Sequence, residues 1–262
     1  MKEVLIKIED YFYRLGKIDI LKNISLTVQE GEYVSVVGPN GAGKTTLLKC
    51  LNRIYTGGKG VIEIAGRPLR AYSQRELARI MSYVPQVNGG ILPFSVYEFV
   101  LMGRYPYLGP FSSTRPEDRY AVDQALDMTG LAGLGDRLLD SLSGGERQKV
   151  FIAAALAQGT KILLLDEPAT FLDPRHQVEI NIILQRVNQE SGVTIITVTH
   201  DINTAFSWSE KILALKDGEV AYCGPTGEII EKNLLAEIYG ISFRLIEQPD
   251  SKIPLVVPQV AE

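Results

Sequence analysis

Cysteine is scarce in this sequence, with only Cys50 and Cys223 in 262 residues. Two thiols set in apolar stretches exclude a disulfide framework and read as reduced, buried side chains of a cytosolic protein. Long apolar runs are missing too. The longest uncharged one, Val150 to Ala157, falls well short of the ~20 residues that a spanning helix needs. Charges fall within Met1 to Asp10, where a secretory leader would place its apolar core, which points away from such a leader. A basic excess is also lacking: 27 Lys and Arg against 31 Asp and Glu leave a net charge of −4. Proteins that wrap nucleic acid normally show the opposite balance, so that class loses ground. No fixed-period repeat and no low-complexity segment interrupts the chain.

What is present is an ordinary soluble composition, 45% hydrophobic and 22% charged. At about 150 residues per domain the length suggests one large or two small domains. Alternation over Val4 to Ile8 and Ile20 to Val28 predicts strands, and Gly31 to Val37 runs into a Gly-rich loop. A helix is expected over 43–53, then short strands at 61–64 and 80–84. Helical periodicity takes over from Val87 to Gln158, with Arg115 opening one helix and Ser143 capping another. The apolar runs Ile162 to Asp166 and Val193 to Thr199 read as buried parallel strands around a helix near 176–189. The expected fold class is therefore α/β, a core carrying an N-terminal antiparallel β part and a helical insertion. The tail from Gln248, with Pro249, Pro254 and Pro258, reads as extended and mobile.

The chemistry begins at Gly38-Pro39-Asn40-Gly41-Ala42-Gly43-Lys44-Thr45, which fits the pattern G-x4-G-K-[ST]. Glycines let successive backbone N–H groups turn toward phosphate oxygens. Lys44 supplies a positive charge, Thr45 a hydroxyl for Mg²⁺, and the following helix its positive dipole end. Such a site needs an acidic residue at the end of a second strand. Lys161 to Glu167 provides it: an apolar strand, then Asp166 to hold Mg²⁺ and Glu167 to polarise a water. Between them lies Leu142-Ser-Gly-Gly-Glu-Arg-Gln148, which by itself is only a capped helix start.

In company these segments resemble the ATP-binding-cassette (ABC) ATPases over residues 3–240. Leu142 to Gln148 is similar to the LSGGQ-type signature. Gln86 resembles the Q-loop glutamine, Thr170-Phe-Leu-Asp173 the D-loop, and His200 the switch histidine. An aromatic near Tyr13 resembles the residue that stacks on adenine, with Tyr11 and Phe12 as competitors. His176 reads as solvent-facing.

The resemblance implies a P-loop NTPase cassette with ATP and Mg²⁺ as cofactors. ATP would touch residues 38–46, through Thr46, and also Tyr13, Gln86 and Asp173. Ser143, Gly144, Gly145 and Glu146 would reach the ATP of a second copy in a head-to-tail homodimer. Mg²⁺ would be held by Thr45, Gln86 and Asp166, and catalysis would fall to Lys44, Glu167 and His200. A single domain over 1–240 is expected, its nucleotide core at 1–86 and 159–240, its helical part at 87–158, and an extension at 241–262. Two positions depart from the family pattern: Ala169, where Thr is common, and Glu146, where Gln is usual.

Within the family, a lone cassette without a heptad insertion points away from fused exporters and from chromosome- or repair-type members. Pro93 to Tyr107 is similar to the matching segment in ATPases of iron–siderophore, haem and cobalamin importers. Phe171 and the ending Leu235 to Gly240 resemble that group as well. The resemblance implies membrane permease subunits as partners, an extracytoplasmic binding protein acting indirectly, no nucleic acid, and a peripheral place on the cytoplasmic face of the membrane. A zinc or manganese importer ATPase is the near alternative. A soluble ABC protein acting on nucleic acid or ribosomes is the distant one. Tyr97, Phe99, Tyr105 and Tyr107 either form a small core or line a groove for a permease helix.

Overall fold

The computed structural model describes residues 3–86, 90, 92–109, 113–231, 234–249 and 251–259. The chain begins with β1 (Val4–Leu15), β2 (Ile18–Gln29), β3 (Tyr33–Val37), α1 (Lys44–Leu51), β4 (Lys59–Ile64), β5 (Arg67–Pro68) and α2 (Gln74–Leu77). It continues through β6 (Met81–Val84), α3 (Val96–Met102), α4 (Pro116–Met128), α5 (Gly144–Ala157), β7 (Ile162–Asp166), α6 (Pro174–Ser191) and β8 (Thr194–Val198). It closes with α7 (Ile202–Trp208), β9 (Lys211–Lys216), β10 (Glu219–Pro225), α8 (Thr226–Glu231), α9 (Leu234–Tyr239), β11 (Ser242–Gln248) and β12 (Ser251–Gln259). Among the described residues no helix is long and apolar enough to cross a membrane.

Two compact units form: Met1–Ala71 with Ile196–Glu262, and Tyr72–Ile195. In the first, an antiparallel sheet runs in the order β2-β1-β4-β5, with Ile6 opposite Val28 and Ile8 opposite Leu26. Register shifts in β1 between Ile8 and Tyr13 place Tyr11 and Tyr13 on the buried face and leave Phe12 exposed; an extra residue in a ladder redirects the side chains after it. The same unit holds the order β10-β9-β3-β8. Every position of β3 and β8 is buried, which is why both read as continuous apolar runs rather than alternation. Cys50 is buried, as expected, but Cys223 is exposed; β10 alternates, and its neighbour Tyr222 takes the buried side.

In the second unit β6 and β7 pair in parallel, from Met81–Ile162 to Val84–Leu165. Helices α3, α4 and α5 bury Val96, Val100, Val122, Leu126, Val150 and Ala153 together. Tyr97 and Phe99 pack on that cluster, and Phe99 meets Phe151 with ring centroids 4.9 Å apart. Those two therefore belong to the core, whereas Tyr105 is 77% exposed. Arg79 and Arg104 lie over the Tyr107 ring.

The compact division falls after Ala71 and Ile195, so the helices stay with the strands that flank them. Gln158 Nε2 donates to the Met81 carbonyl at 3.1 Å, and Ile162 N to that of Ile80 at 3.0 Å. The tail is extended, but it is not a loose end. It forms β12, paired antiparallel with β11 through Phe243–Pro258 and Leu245–Val256. A two-stranded hairpin leaves each strand an unpaired edge, where the missing N–H of Pro254 and Pro258 is tolerated. Residues 250 and 260–262 of that segment lie outside the described residues.

Candidate active site

The phosphate loop belongs to the first unit. Strand β3 delivers the chain to Gly38, Gly41 and Gly43, whose φ angles are +138°, +81° and +98°. A Cβ on Gly38 would lie 2.0 Å from the Leu215 carbonyl oxygen, and one on Gly43 2.7 Å from a Leu21 methyl. Only glycine satisfies both the angle and the close approach. Helix α1 starts at Lys44 with no side-chain cap, and the N–H groups and positive dipole end of a helix start favour an anion. Lys44 is buried, and its ammonium donates to the Gly38 carbonyl at 2.7 Å and the Pro39 carbonyl at 2.8 Å. Pro39, Asn40 and Ala42 complete the loop, and Thr45 and Thr46 stand in the first turn of α1. His200 follows β8 at the loop end of the strands, because Thr199 N donates to the Val36 carbonyl at 3.2 Å.

The carboxylate segment belongs to the second unit. Asp166 ends β7 and is buried; the Tyr83 hydroxyl donates to its Oδ2 at 3.2 Å. Glu167 takes a left-handed φ of +53°, a strained conformation for a non-glycine that turns its side chain out of the strand direction. One oxygen, Oε2, accepts from Gln86 Nε2 at 2.9 Å and from Thr170 Oγ1 at 3.1 Å. Gln86 is thus brought to Glu167. Tyr83 and Thr170 were not singled out as site residues from the sequence; no spacing rule marks Tyr83, whereas Thr170, three residues after Glu167, carried a local signal.

The signature segment is built as a reciprocal helix cap. Glu146 N donates to Ser143 Oγ at 3.2 Å, and Ser143 N donates to Glu146 Oε2 at 2.8 Å. The N–H donated by Ser143 holds the Glu146 carboxyl below its ordinary value of 4.5. Since the Ser143 hydroxyl accepts in this cap, its own hydrogen can still be donated. Asp173 caps α6, accepting from His176 N at 3.1 Å, and that bond lowers its pKa. Its other oxygen lies 2.6 Å from His176 Nδ1. His176 is not solvent-facing as expected: a Cβ on Gly145 would fall 2.1 Å from its ring, so the ring lies against the signature backbone. Phe171 is 89% exposed at a φ of +66°.

Tyr13 is not presented to a ligand. It is 7% exposed, with its ring parallel to that of Tyr55 at a centroid distance of 5.5 Å. Tyr11 is buried as well, whereas Phe12 is 44% exposed. The exposed apolar residues nearest the β1–β2 turn are Leu15 and Ile18, at 52% and 66%, paired in register. Two residues further along, Ile20 and Leu21 touch the position of Gly43.

A buried β-strand, a glycine loop with an inward lysine, an uncapped helix and an oriented Asp–Glu pair define a P-loop nucleotide-hydrolysing cassette. Comparisons narrow the class. Residues 21–170 match the family model described as ABC transporter. The ferric enterobactin transport ATP-binding protein FepC of Escherichia coli is 38% identical over 93% of this chain and 90% of its own length. The iron(3+)-hydroxamate import ATP-binding protein FhuC of Bacillus subtilis is 37% identical over 90% and 88%. A solved ABC transporter of metal-chelate type, in an inward-facing conformation, superimposes with a TM-score of 0.85 at 28% identity, covering 98% of both chains. The ATP-binding cassette MJ0796, dimeric and bound to ADP and phosphate after hydrolysis, gives 0.73 at 31% identity over 85% of this chain and 99% of that one. The chain belongs to the ABC transporter family and is one of its ATPases.

Proposed function

We propose that this chain hydrolyses ATP to power an importer of iron(III)–siderophore or a related metal chelate. The observation that carries the chemical part is Glu167, held at one oxygen by Gln86 and Thr170 directly after the strand that ends in Asp166. Such a carboxylate is aimed by its neighbours and is of the type that orients or deprotonates a water. Lys44 would leave the loop carbonyls for the β- and γ-phosphates, and His200 would contact the γ-phosphate. Phosphoryl transfer asks mainly for such positioning and charge stabilisation. The adenine would rest on Leu15 and Ile18 rather than on Tyr13.

The oxygen donors of Thr45 and Asp166 suit Mg²⁺, which prefers a few hard oxygen ligands beside phosphate oxygens. Bound there, the ion would neutralise charge on the phosphates. Gln86, turned toward Glu167, serves it in this structure as an orienting donor.

The cargo reading rests on the relatives, whose own cargoes are ferric enterobactin and iron(3+)-hydroxamate. A working assembly would contain two copies of this chain, as in the dimeric cassette, on the cytoplasmic face of permease subunits that receive cargo from an extracytoplasmic binding protein. The exposed Ser143, Gly144 and Phe171 would face the second copy, and Tyr105 the permease.

The test is Glu167→Gln. Turnover should fall on the order of a hundredfold or more while ATP binding persists and traps a dimer. In cells the same variant should stop uptake of ferric siderophore. Undiminished turnover refutes the role of Glu167. Loss of zinc or manganese uptake, with siderophore uptake intact, gives the cargo to the alternative.

A further inference from the structure

The C-terminal elements reach back to the phosphate loop. Tyr239, the last residue of α9, accepts a hydrogen bond at its hydroxyl from the N–H of Gly38 at 3.0 Å, across 201 positions of sequence. Its ring meets Phe243 of β11 edge-on, with centroids 5.8 Å apart. Both rings pack on the cluster of Val37, Phe206, Ile212 and Ala214, so the ring side of Tyr239 is fixed by burial. Helix α9 is tied down further by Lys216 Nζ, which donates to the Glu237 carbonyl at 2.6 Å. Strand β12 is clipped to α7, the helix that begins just beyond His200. Asn203 donates from Nδ2 to the Val256 carbonyl at 3.1 Å and accepts from Val256 N at 2.8 Å.

Gly38 is thereby held at both of its backbone groups, by two different kinds of partner. Its carbonyl is bound by Lys44, a residue that must turn away when phosphate arrives. Its N–H is bound by Tyr239, which lies outside the loop and has no reason to move. Gly38 is buried, and a buried N–H without an acceptor is costly. Without the hydroxyl, the loop would gain by turning that N–H elsewhere at the moment Lys44 lets go.

We infer that Tyr239 is a positioning residue for nucleotide binding, its hydroxyl fixing the start of the phosphate loop while Lys44 exchanges loop carbonyls for phosphate oxygens. This rests on the ATPase reading given above and adds a component from the C-terminal part of the chain. Tyr239 touches no nucleotide in this role; it acts through Gly38.

Tyr239→Phe in the full-length protein keeps the ring and its contact with Phe243 and removes only the acceptor. The KM for ATP should rise about fivefold, the size of one hydrogen bond, with kcat little changed. Titration with trinitrophenyl-ATP should show the same loss without needing turnover. A purely structural role would instead lower the melting temperature and leave affinity per folded molecule intact, and that result overturns the inference, as does an unchanged KM. Should the variant not fold, Asn203→Ala takes its place, cutting the clip between β12 and α7 while keeping Tyr239. Raised KM at steady kcat supports the inference, and wild-type KM refutes it. Wild-type turnover is measured first: its absence refutes the ATPase reading, whereas wild-type turnover with an unaltered variant KM refutes only the role of Tyr239.

Discussion

The phosphate loop and the carboxylate segment are made by different means. In the first unit the backbone does the binding: glycines at positive φ, an uncapped helix start, and carbonyls that hold Lys44. In the second unit side chains do it. Gln86 and Thr170 hold Glu167, Tyr83 holds Asp166, and Ser143 and Asp173 hold helix starts. A backbone site tolerates almost no added atom, because its neighbours are themselves backbone. A side-chain site tolerates shape changes but depends on each donor and its charge.

The sharpest way to break the comparison is Gly38→Ala. The new methyl would meet the Leu215 carbonyl oxygen at 2.0 Å, at a φ of +138°. Neither backbone can yield cheaply, so ATP affinity should fall on the order of a hundredfold or more, read by nucleotide titration. Near-normal binding would mean that the loop is more plastic than its geometry implies.

Tyr13→Ala comes next and separates the structural reading from the ligand reading of that ring. With the side chain buried against Tyr55, the variant should lose about 3 kcal/mol of stability, measured by denaturant unfolding. ATP affinity of the folded fraction should stay within about twofold, since less than half a kcal/mol is at stake in a ring that touches no ligand. A selective loss of ATP affinity would return Tyr13 to the adenine site.

The smallest effect concerns the charge-dependent half. The Glu146 carboxyl titrates below its ordinary value of 4.5 because Ser143 N donates to it. A group whose folded pKa is depressed contributes stability above its unfolded pKa and loses it as pH falls through the folded one. The capping box should therefore weaken below about pH 4.5. Glu146→Gln keeps the box geometry but removes this proton, so the acid slope of stability should flatten slightly. An unchanged slope assigns the acid sensitivity to other carboxylates.

How much of this was legible depended on reach. The glycine spacing in residues 38–43 encodes the loop because each glycine answers a need of its own backbone and immediate neighbours. Ser143 and Glu146, or Asp173 and His176, are three apart and so meet across one helical turn whatever else the chain does. Tyr13 is buried because two register shifts in β1 reset which face each residue takes. No propensity of Tyr11, Phe12 or Tyr13 announces those shifts. His176 was misjudged for a related reason, since its solvent was displaced by Gly145, a neighbour 31 positions away that offers no side chain of its own.

By itself, then, the sequence determined the chemistry: the phosphate loop, the acidic pair after a buried strand, the capped signature helix and the family to which they belong. These are local, fixed by φ angles, helix periodicity and hydrogen bonds within a few residues. Tertiary structure alone decided what each group is aimed by. It set Gln86 and Thr170 on Glu167, Tyr55 on Tyr13, and the C-terminal Tyr239 on the first glycine of the loop. Such pairs lie up to 201 positions apart. Only packing of buried surface, which sums over the whole chain, can select them.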